Sequence, residues 1–577
     1  MTRWFVLALA ACTLLAACAP SQPTPAAGRQ GGAASTESSR GQKTLTTAVS
    51  LPIDSLAPLN LPGNGAGMVS FIELHSNGLI TSDANGRPTP QMAKERPSLE
   101  NGTVKLLDDG RMTTLYTLRD DVFWHDGARF TADDVVFGFK VQVDPQLPVS
   151  DRIAVLRISS VEALDPHSVL ITWKGPFYLA DALGAKLLWP LPEHLLGEEY
   201  ARGDKERFLN LPYWTSEYVH TGPFHLVRYE PGISAVFEAN DRYYLGRPKL
   251  DRVIIRQVLD SNALHAAILA GELDVTMSLL DNDQVQALRS TWVDTKMGRT
   301  PVVRGATFSL FFQVAPEYVG SRDQIDPRVR RALYYALDRA GLADLVFSSQ
   351  PDFDVEAKSI VTPSHPLYPY TKDVFANSAG DSRRAAQEFA AAGLTPGPDG
   401  VLANAEGQRF PMEIFGGPPR QKLMTAAADM WKRAGVNSSI LVQPPAREGD
   451  REYGQSYSGA EMTGSGDSDR TLNRFLPPSP TVANGYAGAN RGHYENAVFN
   501  DLTDRYRSAT READQGALLR QISEFLEQEA PVLILYYNPV FATVRTGVKA
   551  LDDYAGGYVG GGYYGSYTRT SHLWDKE

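Results

Sequence analysis

Serine and acidic residues are the groups in this sequence that could form a hydrolytic site, and neither occurs in a catalytic pattern. The nearest serine motif is GQSYSG at residues 454–459, which misses the Gly-x-Ser-x-Gly nucleophile elbow by one position. The zinc motif HExxH and the acylation motif SxxK do not occur in the sequence. Aspartate and glutamate are numerous, but a glycosidase needs two of them across a cleft, which sequence alone does not place. We therefore expect a protein that is not an enzyme.

Histidine and cysteine give little support for a bound metal. The 10 histidines are scattered, and none lies at the paired spacing of metal ligands. His125 and Asp126 are adjacent, but a histidine that flanks a turn and packs against Trp124 explains this pair more simply. The glycine-rich tail at residues 554–567 has no Gly-Lys-Ser/Thr sequence, so it does not predict a phosphate loop. No metal and no cofactor are predicted.

The N-terminus predicts export and a covalent lipid. An arginine precedes an apolar stretch, residues 4–15, that is too short to span a bilayer as an ordinary transmembrane helix. The stretch runs into LAAC at residues 15–18, which looks like a bacterial lipobox whose cysteine is lipidated after cleavage. The alternative is ordinary signal cleavage near Ala17 with Cys18 incidental. Lipidation of Cys18 is favoured because Cys12 and Cys18 are the only cysteines in the chain.

The remainder of the chain divides into a tether and a large body. Residues 19–43 are rich in Ala, Pro, Ser and Gly and are predicted to be a flexible tether. From Lys43 about 535 residues remain, too many for one hydrophobic core, so two or three lobes are expected. The formal net charge of −11 argues against nucleic-acid binding. Because no second long apolar run follows, we expect the mature chain to be held at a membrane by lipid alone.

The segment Leu118–Phe139, LRDDVFWHDGARFTADDVVFGF, predicts a hairpin followed by a capped helix. Asp126-Gly127 is a strong turn signal between two short extended runs. Thr131 and Asp134 have the spacing of a capping box, in which each side chain accepts a hydrogen bond from the other residue's backbone. The apolar face of the helix is predicted at Val135, Val136 and Phe139.

This hairpin and capped helix resemble a signature of the bacterial extracytoplasmic solute-binding proteins of family 5, which serve peptide and nickel ABC importers. Three further blocks follow in the order that this family uses: TGPFHLVRYEPG at 221–232, AGELDVT at 270–276 and VRRALYYALDR at 329–339. A single block of this kind could be a local coincidence, but the ordered series makes that explanation weak. The chain is therefore identified as similar to dipeptide- and oligopeptide-binding proteins.

The resemblance implies an α/β fold of the periplasmic-binding-protein type II, or flytrap, class. Two jaws would close around a ligand, hinged by two crossing strands, and an additional lobe would lie to one side. The implied divisions are a signal peptide with its lipidated cysteine (1–18), a tether (19–43), lobe I (44–85, 221–298 and 530–577), the additional lobe II (86–220) and lobe III (299–529).

The resemblance also implies a ligand site in lobe III. Peptide-binding members hold the ligand's amino terminus with an aspartate, and the corresponding stretch is Glu461–Leu476, with Asp467 the best match and Asp469 the alternate. The tryptophan and proline of the family pattern are missing, and a solvated loop is the alternative. A ligand carboxylate would bind Arg420, for which a surface arginine is the alternative. Aromatic contacts are predicted at Tyr457, Tyr486 and Tyr494, although tyrosines also suit sugars.

The implied function is a lipid-anchored solute receptor in the periplasm or at the outer face of the cell membrane. It would capture a peptide or a related hydrophilic small molecule by jaw closure and deliver it to ABC permease subunits. Other possibilities stay open: the same fold could bind a sugar, an opine or a nickel chelate, or the protein could be a chemosensory receptor or an exported hydrolase. We expect a monomer that binds no nucleic acid.

Overall fold

A computed structural model describes residues 42–56, 68, 70–149, 152–277, 279–280, 282–347, 356–376, 380–447, 450–464, 468–486, 488–551 and 566–577. The predicted signal, Cys18 and nearly all of the tether lie outside the described residues, as do Asp467 and most of the tail at residues 554–567. Within these ranges, no helix is both long enough and apolar enough to cross a membrane. The same ranges contain no group of three or more side chains that could hold a metal ion.

Strands and helices are mixed along the described chain, as expected for an α/β protein. The strands are β1 (Thr44–Val49), β2 (Ile80–Ser82), β3 (Pro88–Pro90), β4 (Val104–Leu106), β5 (Met112–Thr117), β6 (Ile158–Asp165), β7 (Ser168–Trp173), β8 (Phe224–Glu230), β9 (Ser234–Ala239), β10 (Arg252–Gln257), β11 (Val275–Met277), β12 (Gly298–Arg299), β13 (Val302–Phe312), β14 (Thr395–Pro396), β15 (Leu402–Ala403), β16 (Pro411–Gly416), β17 (Asn437–Val442), β18 (Ala460–Gly464), β19 (Val532–Arg545), β20 (Val548–Lys549) and β21 (Asp575–Lys576).

The helices between these strands range from single turns to five turns. They are α1 (Ile72–His75), α2 (Ala132–Val143), α3 (Glu193–Ala201), α4 (Lys205–Leu209), α5 (Ser261–Ala270), α6 (Asn282–Thr295), α7 (Pro327–Tyr335), α8 (Arg339–Phe347), α9 (Tyr368–Thr371), α10 (Ser382–Ala391), α11 (Gln421–Arg433), α12 (Ser468–Asn473), α13 (Ala497–Ser508) and α14 (Glu512–Glu529).

One large mixed sheet organises the molecule. Among the described residues it has 11 strands in the order β17-β16-β18-β13-β19-β11-β1-β10-β9-β8, with β12 also paired to β19. We call β1 and β8 to β11 the first half-sheet, and β13 with β16 to β18 the second half-sheet. A separate antiparallel sheet has the order β4-β5-β7-β6. This architecture confirms the predicted fold class, whereas the lobe boundaries stay predictions.

The strands β13 and β19 join the two half-sheets. β19 pairs antiparallel with β13 over residues 532–541 and then with β11 over residues 542–544. β19 extends beyond the apolar run at residues 532–537 and continues to Arg545. Pro539 falls inside the strand beside a shift of register, where the regular ladder of hydrogen bonds is already interrupted. β19 therefore pairs with strands of both half-sheets, and β13 is its partner in the second.

Several helix boundaries follow local signals that the sequence predicts. The side chain of Asp260 accepts a hydrogen bond from a first-turn amide of α5 at 2.7 Å, and Gly271 ends that helix with φ of +79°. The side chain of Asp326 accepts from Arg328 N at 2.8 Å, and Pro327 occupies the first position of α7. These boundaries follow from the sequence because helix capping depends on residues only a few positions apart.

The predicted hairpin and capped helix also form. Gly127 takes φ of +93° at the turn, a conformation that favours glycine. The carboxylate of Asp134 accepts hydrogen bonds from Thr131 N at 2.9 Å and from Trp124 Nε1 at 3.1 Å. A third comes from Glu193 N at 3.1 Å, at the first residue of α3. The capping residue of α2 thus also fixes the hairpin and a second helix.

Among the described residues, two large apolar cores lie against the sheet, and a smaller third cluster packs Ala48 of β1 against α5 and α6. The core of the first half-sheet includes the fully buried Leu45, Val253 and Val275. The core of the second half-sheet includes Leu310 and Ile414, and it continues into the segment that forms the antiparallel sheet. The second half-sheet, which carries the candidate site, is therefore supported by a continuous apolar layer.

Histidines with depressed pKa values lie where the hairpin meets the first half-sheet. His75 is fully buried, with its ring stacked on Phe237 at 5.6 Å and edge-on to Tyr218 at 5.2 Å. Burial lowers the pKa of His75 to about 3, and the nearby His125 adds to this effect. The pKa of His220 also lies well below its ordinary value because of burial. The folded protein therefore keeps these imidazoles neutral.

Acidification from about pH 7 to about pH 5 is expected to lower the free energy of unfolding. The pKa of His75 is lower in the folded state than its ordinary 6.5, so the unfolded chain binds a proton first and stability falls as the pH drops from 6.5 towards 3. The variant His75→Phe should lose about 2 kcal/mol less than the natural protein over this interval, as measured by urea unfolding. Between about pH 7 and pH 8 the two proteins should change alike. Identical losses on acidification would show that His75 does not contribute.

Candidate ligand-binding site

The candidate site is built on β18, which lies between β13 and β16 in the second half-sheet. Phe311 of β13 and Phe415 of β16 are the register partners of Glu461, so this acid is flanked by aromatic residues. β18 ends at Gly464, just before the segment that contains Asp467. The strand therefore leads directly from a buried acid to the predicted amine-binding loop.

Glu461 is a buried charge whose two oxygens are both held by arginines. Its side chain is 6% exposed, with Arg474 Nη1 at 3.0 Å from Oε2 and Arg491 Nη1 at 2.9 Å from Oε1. Burial alone would raise the pKa of Glu461, but the two guanidinium groups outweigh it and hold the pKa below its ordinary value. Glu461 is therefore ionised at neutral pH, and each of its oxygens has a cationic partner.

The two arginines on Glu461 differ in their surroundings. Arg474 follows α12, is 17% exposed, and lies with its guanidinium 4.1 Å from the ring centroid of Phe311. Arg491 is 44% exposed and lies in an irregular segment that follows β18 in the chain. Arg474 is therefore the more buried of the two, and Arg491 is partly open to solvent.

An aromatic stack lies beside these charges. The rings of Phe308 and Tyr536 are stacked with centroids 5.1 Å apart and planes 9° from parallel. Phe347, at the end of α8, packs edge-on against Tyr536 at 5.2 Å. Because Phe308 belongs to β13 and Tyr536 to β19, the pairing of the two long strands creates this stack.

Arg420 stands over the same stack. It ends a short 3₁₀ turn, Pro418–Arg420, and occupies the N-cap position of α11. Its guanidinium lies 5.9 Å from the ring centroid of Phe308. Burial lowers the pKa of Arg420, while the charge of Glu461 acts to raise it. No residue in the described ranges forms a hydrogen bond or an ion pair with this side chain.

The predicted tyrosines occupy three different environments. Tyr457 is 1% exposed, and its ring is stacked on Phe415 at 5.7 Å, so it lies behind the Glu461 group in the interior. The hydroxyl of Tyr486 donates to Glu452 Oε1 at 2.7 Å, away from that group. Tyr494 is 6% exposed and packs edge-on against Phe475. Tyr457 is therefore stacked on a register partner of Glu461, whereas Tyr486 and Tyr494 contact other residues.

The two acidic candidates fall at the limit of the described chain. Asp467 lies outside the described residues, and Asp469 lies on α12 with its side chain outside the described part. Both therefore stay predictions. The residues that the sequence did not single out are Glu461, Arg474 and Arg491. The sequence offered one signal for this group, a glutamate between the apolar residues Ala460 and Met462. It offered none for the two arginines, because they are 13 and 30 positions from Glu461.

The chain is similar to a family of known proteins. The model of the bacterial extracellular solute-binding proteins, family 5 middle region, matches residues 87–482, more than half of the chain. Oligopeptide-binding protein AppA of Bacillus subtilis is 28% identical over 349 residues, which are 58% of this chain and 59% of that protein. Di/tripeptide-binding protein 2 of Pseudomonas aeruginosa is 24% identical over 472 residues, 76% of this chain and 81% of that protein.

The fold is shared with solved structures as well. The structure of NikZ from Campylobacter jejuni in complex with Ni(L-His) superposes with a TM-score of 0.71 at 23% identity. The match covers 93% of this chain and 100% of that chain. At this identity the likeness establishes the fold alone.

Removal of the central acid should destabilise the second half-sheet. The variant Glu461→Gln leaves Arg474 partly buried without its charge partner, so the free energy of unfolding should fall by about 2 to 3 kcal/mol in urea titrations. The matched control is Asp514→Asn, which breaks the exposed pair of Asp514 with Arg511 and should cost less than about 1 kcal/mol. Equal stabilities of the two variants would show that the Glu461 pairs do not hold β18 in place.

Proposed function

Because the chain belongs to the bacterial extracellular solute-binding proteins of family 5, we propose that it is the solute receptor of an ABC importer that captures a peptide. The observation that carries this proposal is the family match over residues 87–482, together with relatives named for oligopeptides and for di- and tripeptides. This family consists of binding proteins rather than enzymes. In the proposed role the protein makes and breaks no bond.

The proposed mechanism is closure of two jaws around the ligand. β19 pairs with β13 in the second half-sheet and with β11 in the first, so a bend in β19 would move one half against the other. A ligand that contacts both halves only when they are close would stabilise the closed form and shift the population towards it. The permease would then recognise the closed form.

In the second half-sheet, each proposed ligand contact pairs a charged side chain with a ligand group of opposite charge. Arg420 has no partner among the described residues and stands beside an aromatic stack, so it can offer a bidentate contact to a ligand carboxylate. Asp467 is proposed to bind the ligand's ammonium group, because an isolated charge in a closed cleft would be costly to desolvate. The Ni(L-His) complex of NikZ makes a metal chelate the second ligand class to be tested.

We further propose that the protein works outside the cytoplasm as a monomer anchored through a lipid on Cys18. The apolar segment at residues 4–15 and the LAAC sequence that follows it support this proposal. The predicted tether at residues 19–43 would give the binding domain freedom to reach the permease.

Peptides should stabilise the purified protein. At a concentration one hundred times its Kd, a ligand that binds only the folded state adds about 2.7 kcal/mol to stability, which raises the melting temperature measurably. A thermal-shift screen should therefore respond to peptides of about two to five residues and not to sugars, opines or nickel chelates. A response to sugars or chelates without one to peptides would refute the peptide assignment.

The same screen can test the amine contact with one variant. Asp467→Ala should weaken binding of a free peptide about ten-fold or more, while the N-acetylated peptide, which has no ammonium, should bind equally poorly to both proteins. Asp294→Ala, which removes an exposed carboxylate from α6, is the control. Unchanged affinity of Asp467→Ala for the free peptide would remove this residue from the site.

Lipidation can be tested by phase partition in detergent. The full chain, expressed with its own N-terminus in a bacterial host that processes lipoproteins, should enter the detergent phase, because acyl chains bind membranes through buried methylene groups. The variant Cys18→Ser should move to the aqueous phase or stay unprocessed, while Cys12→Ser should behave as the natural protein. Partition of Cys18→Ser with the natural protein would contradict the lipid anchor.

A further inference from the structure

Arg420 is held in a position that is unfavourable for a cation without a partner. Burial lowers its pKa, which means that the charged form has lost hydration. It also occupies the N-cap of the 13-residue helix α11, where the helix dipole is positive, and it provides no side-chain cap. No residue in the described ranges accepts a hydrogen bond from its guanidinium. An anion at this place would relieve all three deficits together.

The neighbouring charges make an anionic partner for Arg420 still more favourable. Arg474 and Arg491 both act to lower the pKa of Arg420, so the three guanidinium groups repel one another. Glu461 is the acid in their midst, and both of its oxygens already have arginine partners. We call these four residues the arginine cluster. Its formal charge is three positive against one negative, an excess of two positive charges over the side chains that form it.

We propose that the arginine cluster selects an acidic solute, one that carries two anionic groups close together, such as a peptide that ends in glutamate. This inference rests on the proposed function and narrows its substrate class. A single terminal carboxylate would neutralise one of the two excess charges, and a second carboxylate would neutralise the other. The peptide's terminal and side-chain carboxylates lie on the same residue, so both reach one cluster.

The immediate surroundings of Arg420 are apolar. Phe308 and Tyr536 are stacked on each other and buried, so the guanidinium of Arg420 lies beside an aromatic wall that offers it no acid. Arg491 is 44% exposed, so one guanidinium edge remains open to solvent and to a ligand while Nη1 holds Glu461. Arg420 and Arg491 are therefore the two groups assigned to the ligand's anionic oxygens, and Arg474 is a positioning residue that keeps Glu461 ionised.

The test compares two peptides that differ by one charge. Calorimetry on the full chain in detergent micelles would use Ala-Ala-Glu and its near-isosteric partner Ala-Ala-Gln. The natural protein should bind the acidic peptide about ten-fold or more tightly than the amide, the discrimination expected of one charge-assisted hydrogen bond. Arg420→Gln should reduce this ratio to about three-fold or less, and Arg420→Lys, which can bind a proton together with the anionic ligand but lacks the fork, should lie between.

Matched controls separate this inference from loss of folding. Arg433→Gln changes an exposed arginine at the opposite end of α11 and should keep the full ratio. Without ligand, Arg420→Gln should unfold at a temperature close to that of the natural protein. If Arg420→Gln does not fold, Arg491→Gln takes its place, and the same loss of discrimination between the two peptides is expected.

The outcomes distinguish this inference from the proposed function. Equal affinities of the natural protein for Ala-Ala-Glu and Ala-Ala-Gln would overturn the acidic-solute assignment and leave the peptide receptor intact. Binding of neither peptide would overturn the peptide assignment, and glutarate with its diamide would then decide the solute class. Stabilisation by glutarate alone would support an acidic solute that is not a peptide, whereas no shift with either compound would overturn both proposals.

Discussion

The pairing of β13 with β19 is the constraint on which the rest of the molecule depends. These strands are 11 and 14 residues long, and β19 changes partner from β13 to β11 along its length. The same pairing joins the half-sheets and places Phe308 against Tyr536. A register slip of one residue would turn each side chain to the opposite face, so the stack and the sheet connection would be lost together. The candidate site and the proposed hinge are therefore parts of one structural element.

The charged residues of the site depend on the strand pairing of the sheet, because buried ions require partners in fixed positions. Glu461 is accepted inside the sheet since Arg474 and Arg491 each hold one of its oxygens. Pairs of this kind contribute little net stability relative to apolar residues, but the loss of one member is costly. Their physical effect is to fix two guanidinium groups in place. The positive charges of both lower the pKa of Arg420, whereas the negative charge of Glu461 raises it.

Local features of this fold could be predicted from sequence, because their causes lie within a few residues. The capping box of Thr131 and Asp134, the stop at Gly271 and the start of α7 at Pro327 are examples. The end of β19 could not, since Pro539 normally indicates a break and is accommodated here by a register shift opposite it. Residues a few positions apart determine the helix caps, whereas the end of β19 depends on pairing with strands far away in the sequence.

The site was predictable only in part for the same reason. Arg420 could be singled out from its loop before a helix, but its importance depends on Glu461 and on arginines that follow it by 54 and 71 positions. Tyr457 and Tyr486 have similar sequence surroundings, and yet one is stacked on Phe415 in the interior and the other bonds to Glu452. The pattern of apolar residues does not predict which of the two tyrosines is buried. Both lie in irregular segments, where neighbouring residues do not determine the direction of a side chain.

The identity of the residue at position 420 has a further consequence for selectivity. A lysine with this degree of burial and with two cationic neighbours could lose its proton, and the unpaired charge would disappear without a ligand. The guanidinium of Arg420 begins from so high a pKa that burial lowers it without neutralising the group at neutral pH. The charge is therefore permanent, and its desolvation is avoided only in the open cleft or in contact with an anion. Under the proposed mechanism, closure around a neutral ligand would bury that charge unpaired, so the cost of closing without an anion would act against a neutral solute in addition to the contacts that favour an acidic one.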